Sequence, residues 1–154
     1  MAAGAWKVFN RAKKYIGNGT LSLSSTTFRM CLATSASNLK TSASAKPLMN
    51  RTSLTGQVTS TLGCPVLGKA LGGEVWTTGA SAGQIKFDTS DLVFTATTSA
   101  IANIKYAVIF LTGASAGAQK LLCYSTLTTS QITSLAIGNT LTVQMASGGV
   151  LTLT

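Results

Sequence analysis

Two serines stand in the spacing of a nucleophile elbow: Thr78-Gly-Ala-Ser-Ala-Gly83 and Thr112-Gly-Ala-Ser-Ala-Gly117 both contain Gly-x-Ser-x-Gly, with Ser81 and Ser115 at the centre. Attack by either hydroxyl needs a base to take its proton, and the chain has no histidine. Short glycine-serine-alanine loops account for both copies. Residues 63–70 match the phosphate-loop spacing up to Lys69, but Ala70 stands where a Ser or Thr would bind magnesium. Glu74, Asp88 and Asp91 are the only carboxylates, too few for a calcium or magnesium shell, and turn chemistry explains both aspartates. Cys31, Cys64 and Cys123 lack any Cys-x-x-Cys spacing and are expected as buried thiols rather than as a zinc site or disulfide framework. The expectation is a protein that is not an enzyme, with no catalytic residues, no cofactor and no metal.

Charge is the more informative chemistry. Twelve Lys and Arg against three acids give +9, and eight of the twelve precede residue 52, whereas no acid precedes Glu74. The first third of the chain is cationic and the rest nearly neutral. Lys7, Arg11, Lys14, Lys40, Lys46 and Arg51 are the candidate interaction residues. Nucleic acid is the usual partner of such a balance. However, Trp6 and Phe9, the aromatics nearest these cations, fall on an apolar stripe, so direct nucleic-acid binding is disfavoured. The Asn18 and Asn50 sequons would matter only in a secreted eukaryotic protein. No apolar run reaches the ~18 residues of a membrane span, and the first residues lack the charged start of a secretory signal.

The elements that must position these groups are mostly strands. Ser and Thr make 41 of 154 residues, hydrophobic residues 45% and charged residues only 10%, a composition too apolar for disorder and suited to short strands joined by turns. The length fits one domain spanning residues 1–154. One helix is expected over residues 5–16, where Trp6, Phe9 and Ile16 share a face and Lys7, Arg11 and Lys14 another, stopped by the glycines at 17 and 19.

The period then becomes two. Phe28, Met30 and Leu32 point to a buried face, with Arg29, Cys31 and Ala33 opposite. Further strands are expected at 74–77, 84–87, 92–96, 104–111, 119–125, 140–145 and 150–153, the last two forming a hairpin through residues 146–149. Eight or nine strands at this spacing predict an antiparallel β-sandwich, jelly-roll or immunoglobulin-like, with a short N-terminal amphipathic helix. Residues 34–64 show no alternation and are expected to be an irregular arm reaching a neighbouring subunit.

Three stretches carry a family resemblance: residues 8–19 (VFNRAKKYIGNG), residues 28–38 (FRMCLATSASN), and the closing segments 138–145 (GNTLTVQM) and 149–153 (GVLTL). Together they resemble small virion proteins of tailed bacteriophages, which begin with a short helix ending in a Gly-rich stop, continue into a Phe-x-x-x-Leu-x-Thr-Ser strand and finish with a Gly-Asn-Thr-Leu hairpin. The chain is more basic than that pattern and carries Val75-Trp76-Thr77 where the family more often has an uninterrupted Thr-Trp motif.

The resemblance implies a virion structural protein, foremost a capsid cement or decoration protein made in the bacterial host cytoplasm. Its partners would be the major capsid protein, further copies of itself as a dimer or trimer, and other virion proteins. A tail, baseplate or head-tail junction subunit would share these features. A carbohydrate- or receptor-binding module is a further alternative, for which only Trp76, Tyr106 and Tyr124 offer rings.

Overall fold

Alternating Thr, Val, Ile and aromatic residues become strands here because each strand can bury one face or both against another layer. The computed structural model describes residues 4–24, 27–41, 48–58, 63–65, 67–79, 81–113, 115, 117–128, 132–146 and 148–153. Among them run β1 (Lys7–Val8), α1 (Asn10–Gly17), β2 (Phe28–Thr34), β3 (Lys69–Ala70), β4 (Val75–Thr78), β5 (Ile85–Asp88), β6 (Leu92–Thr95), β7 (Ile101–Leu111), β8 (Leu121–Thr126), β9 (Ile132–Leu135), β10 (Thr140–Val143) and β11 (Leu151–Leu153). The protein is mainly β, with antiparallel sheets and one short helix near the N-terminus, as the composition predicts.

The main sheet has the order β1-β8-β7-β2-β3, with β9 also pairing the start of β7, and two smaller sheets have the orders β11-β5-β4 and β10-β6. At the centre, β7 and β2 run antiparallel from Phe28 opposite Leu111 to Thr34 opposite Ile104. Asn103 marks the kink where β7 turns toward β9: its φ is +58°, a left-handed conformation that Asn tolerates better than most residues, and the pairing with β9 skips it.

The expected alternation is present, but both faces of the centre are covered. Met30, Cys31, Leu32 and Ala33 are all buried, as are residues 106–110. One face meets the small sheets: the Phe28 ring lies 5.0 Å from that of Phe87 on β5. The other face meets residues 34–41 and 48–58. The arm expected there folds back instead of projecting. Thr34 N–H donates to Gly56 C=O and Val58 N–H to Leu32 C=O, while Leu39, Leu48, Leu54 and Val58 are buried. The physical reason is burial: a face carrying Cys31, Ala33, Tyr106, Val108 and Phe110 is too apolar to leave in water. Among the described residues the buried hydrophobic side chains join in one cluster.

Two other expectations change. The helix begins at Asn10, not residue 5, because Lys7 and Val8 pair with Tyr124 and Cys123 of β8, and Phe9 N–H donates to Leu122 C=O. The segments around residues 140–145 and 150–153 do not pair with each other. β10 lies against β6 and β11 against β5, so the turn closed by Gly149 N–H on Ala146 C=O carries the chain between two sheets.

Candidate functional site: a cationic face on the β1–α1 edge

The cationic face is built where the chain wraps the β8 edge of the main sheet. Val8 and Phe9 turn inward, Phe9 until its ring lies 5.2 Å from that of Tyr124, and Ala12 is fully buried where α1 packs on β8. Because these residues face in, Lys7, Arg11, Lys13 and Lys14 face water. Lys14 falls in the last helical turn, where a cation suits the negative end of the helix dipole. The helix closes as Asn18 N–H donates to Lys14 C=O and Gly19 N–H to Ile16 C=O, with Gly19 at φ +74°. No Cβ would clash there, so the left-handed backbone alone favours glycine.

A fifth cation joins from the far end of the sequence. Lys120 Nζ stands 5.4 Å above the Tyr15 ring, close enough for a cation–π contact. Neither its distance in sequence from α1 nor its flanks gave a signal for it. Lys13 belongs to the same run as Lys14, yet the stripe reading passed over it. No acidic side chain pairs with this face among the described residues. Asp88 is bound to Lys86 at 3.0 Å, Asp91 accepts from Met145 N–H at 2.8 Å, and Glu74 precedes β4 in another sheet.

Beside the cations lies a groove of about 620 Å3, lined by Trp6, Val8, Lys13, Ile16, Gly17, Leu151 and Thr152, where β11 approaches the β1–α1 edge. Trp6 Nε1 and Glu74 Oε1 are buried with no hydrogen-bond partner among the described residues.

The remaining candidate cations divide. Lys40 is exposed at the end of a 3-10 turn following β2, across the sheet from β1, and does not join this face. Lys46 lies outside the described residues. Arg51 was expected at a contact surface and is instead buried. Its Nε donates to Gln57 Oε1 at 2.6 Å, its Nη1 to Gln119 Oε1 at 3.1 Å, and its guanidinium lies 5.1 Å over the Phe110 ring. A planar guanidinium satisfied by two amides and an aromatic face can be taken out of water, and here it pins residues 48–58 to the sheet.

The motif residues are placed as follows. Ser81 and Ser115 are exposed in the loops joining β4 to β5 and β7 to β8. Lys69 Nζ donates to Val93 C=O, so it ties β3 to β6 rather than standing over an open loop. Gly63 and Gly68 have φ of +87° and +72°. A Cβ on Gly63 would lie 1.8 Å from Thr95 O, and one on Gly68 2.9 Å from Met30 O, which makes both glycines packing residues. Tyr124 is as buried as Tyr106, which leaves Trp76 as the exposed ring of the three considered for sugars.

The thiols are free and buried. Burial pushes Cys31 up to about 12, with the Arg51 charge opposing, and Cys64 up to about 11, with Lys69 opposing; burial also raises Cys123. At neutral pH they are protonated and poor nucleophiles. Among the described residues no three of Cys, Asp and Glu gather as metal ligands, and no helix is long and apolar enough to cross a membrane.

Compared with known proteins, the chain matches no family model, no curated protein and no solved structure.

Proposed function

We propose that this protein is a structural subunit of a tailed-bacteriophage particle, a capsid cement or decoration protein whose antiparallel sandwich presents a cationic face to the shell. The observation that carries the reading is the grouping of Lys7, Arg11, Lys13, Lys14 and Lys120 on one edge, with all three carboxylates placed elsewhere. A face of one sign favours an acidic partner surface, raising the encounter rate and fixing register rather than supplying most of the affinity. The resemblance of residues 8–19, 28–38, 138–145 and 149–153 to small virion proteins supplies the partner: the major capsid protein, present in many symmetric copies. Repetition turns weak single contacts into durable coverage.

The test is binding to purified heads and counting in purified virions. The reading expects near-stoichiometric occupancy of head sites at low ionic strength, hundreds of copies per particle, and progressive release as salt rises through the range where the Debye length falls below about 10 Å. A count of six or twelve would move the protein to the tail or the head-tail junction. Absence from the particle would overturn the reading altogether.

A further inference from the structure

We infer that the β4 edge is a homotypic docking strand: two copies of this chain join their β11-β5-β4 sheets antiparallel, β4 to β4, about a two-fold axis centred on Thr77. The inference concerns the isolated chain and requires no particle.

Sheet edges in monomeric proteins are shortened, charged or covered, because a free row of N–H and C=O groups recruits another strand. Two edges of this molecule follow that rule. β1 and β3 are each two residues long and carry Lys7 and Lys69. β4 does not. Its four residues are all exposed, none is charged or proline, and between Leu71 and Ile85 the sole charged residue is Glu74. Val75 is 48% exposed, Trp76 37% and Ile85 41%. For a molecule of net charge +9, this is the edge at which two copies meet with least repulsion.

The backbone selects the register. Gly79 N–H donates to Gln84 C=O at 2.9 Å, and β4 pairs with β5 through Val75 opposite Asp88 and Thr77 opposite Lys86. Antiparallel alternation therefore turns the backbone groups of Val75 and Thr77 toward β5 and those of Trp76 and Thr78 outward. A two-fold axis perpendicular to the sheet keeps like faces together, so residues of like parity must oppose each other. Centred on Thr77, Trp76 of one copy exchanges hydrogen bonds with Thr78 of the other, and reciprocally.

The side chains agree with this register. Trp76 lies on the inner face beside Phe87, ring centroids 6.4 Å apart, at the open end of the core. In the dimer its exposed side is covered by the inner face of the second copy. The contact is small, so the dimer is weak and forms at high protein concentration.

Two measurements on the full chain decide it. In sedimentation velocity the wild type should shift with concentration from its 15.8 kDa toward twice that mass. T78K, at an exposed position whose backbone faces outward and whose side chain would sit beside Trp76 of the second copy, brings an ammonium from each copy into the seam and should weaken the dimer at least about tenfold. Thr77 opposes its own mate as a non-hydrogen-bonded pair, with Cα atoms about 4.5 Å apart, inside the roughly 4.4–6.8 Å window for a disulfide. T77C should therefore yield a covalent dimer under mild diamide oxidation. The native thiols stay silent because all three are buried. T97C, at an exposed position away from the edge, reports random collision.

A wild type that stays monomeric at all concentrations overturns the inference. So does T77C cross-linking no faster than T97C, or a dimer insensitive to T78K. Because the readout uses isolated protein, its failure leaves the particle reading standing, and the virion copy number leaves this inference standing.

Discussion

Arg51 shows how one side chain can look like a contact residue and serve as a fastener. Its guanidinium is held by Gln57 and Gln119 over Phe110, and Gln57 in turn donates to the Arg51 and Leu54 carbonyls. Arg51→Ala strands the buried Gln119 amide oxygen and the half-buried one of Gln57 and should cost about 2–4 kcal/mol, read as a lower urea midpoint at unchanged slope. Lys40→Ala, at an exposed position, should leave the midpoint unchanged within about 0.5 kcal/mol. The thiols make a second prediction. Folding raises Cys31 to about 12 and Cys64 to about 11 from an ordinary value of 9.0. Between those values the unfolded chain releases protons that the folded chain keeps, so stability is constant in this respect below pH 9 and falls as pH rises toward 12. Urea midpoints taken from pH 7.5 to 10.5 should show that fall, reduced in a variant with all three cysteines replaced by alanine.

At the scale of elements, the glycines of the phosphate-loop-like stretch hold strands close to one another. Gly63→Ala drives a Cβ into Thr95 O on β6 from a left-handed backbone and should cost about 2–4 kcal/mol, visible as a lower melting temperature. The centre of the main sheet was legible in the sequence because Phe28, Met30, Leu32 and the run from Ile104 to Phe110 alternate over many residues. That β2 and β7 are buried on both faces was not legible, since it depends on residues 34–41 and 48–58, which lack any periodic pattern. The helix start was misplaced because Trp6 and Phe9 fit a three-residue step, while Trp6 and Val8 fit a two-residue step equally well. Only the tertiary hydrogen bond from Phe9 to Leu122 separates the two. The turn at residues 146–149 has the same origin: a turn signal is local, whereas the partner of β10 lies 45 to 51 residues upstream and that of β11 lies 64 to 68. Lys7, Arg11 and Lys14 were legible as a stripe, while Lys120 and the withdrawal of Arg51 depend on contacts made only after folding.

At the scale of the whole molecule, five of the twelve cations gather on the β1–α1 edge, while the three carboxylates lie within residues 74–91. If the cationic edge docks on an acidic shell, reversing Lys7, Arg11, Lys13 and Lys14 to glutamate should abolish binding to heads at low salt. The far-ultraviolet circular dichroism should stay unchanged, because all four side chains are exposed. The topology has a consequence for synthesis. The inner faces of β5 and β6 carry Phe87 and Phe94, both fully buried in the finished fold, and the strands beside them, β11 and β10, come much later in the chain. A ribosome therefore exposes two aromatic strands for the time needed to translate roughly fifty more residues. During that interval the nascent chain is open to chaperones and to aggregation, and slowing the codons between β6 and β10 should lower the soluble yield more than slowing those before β5.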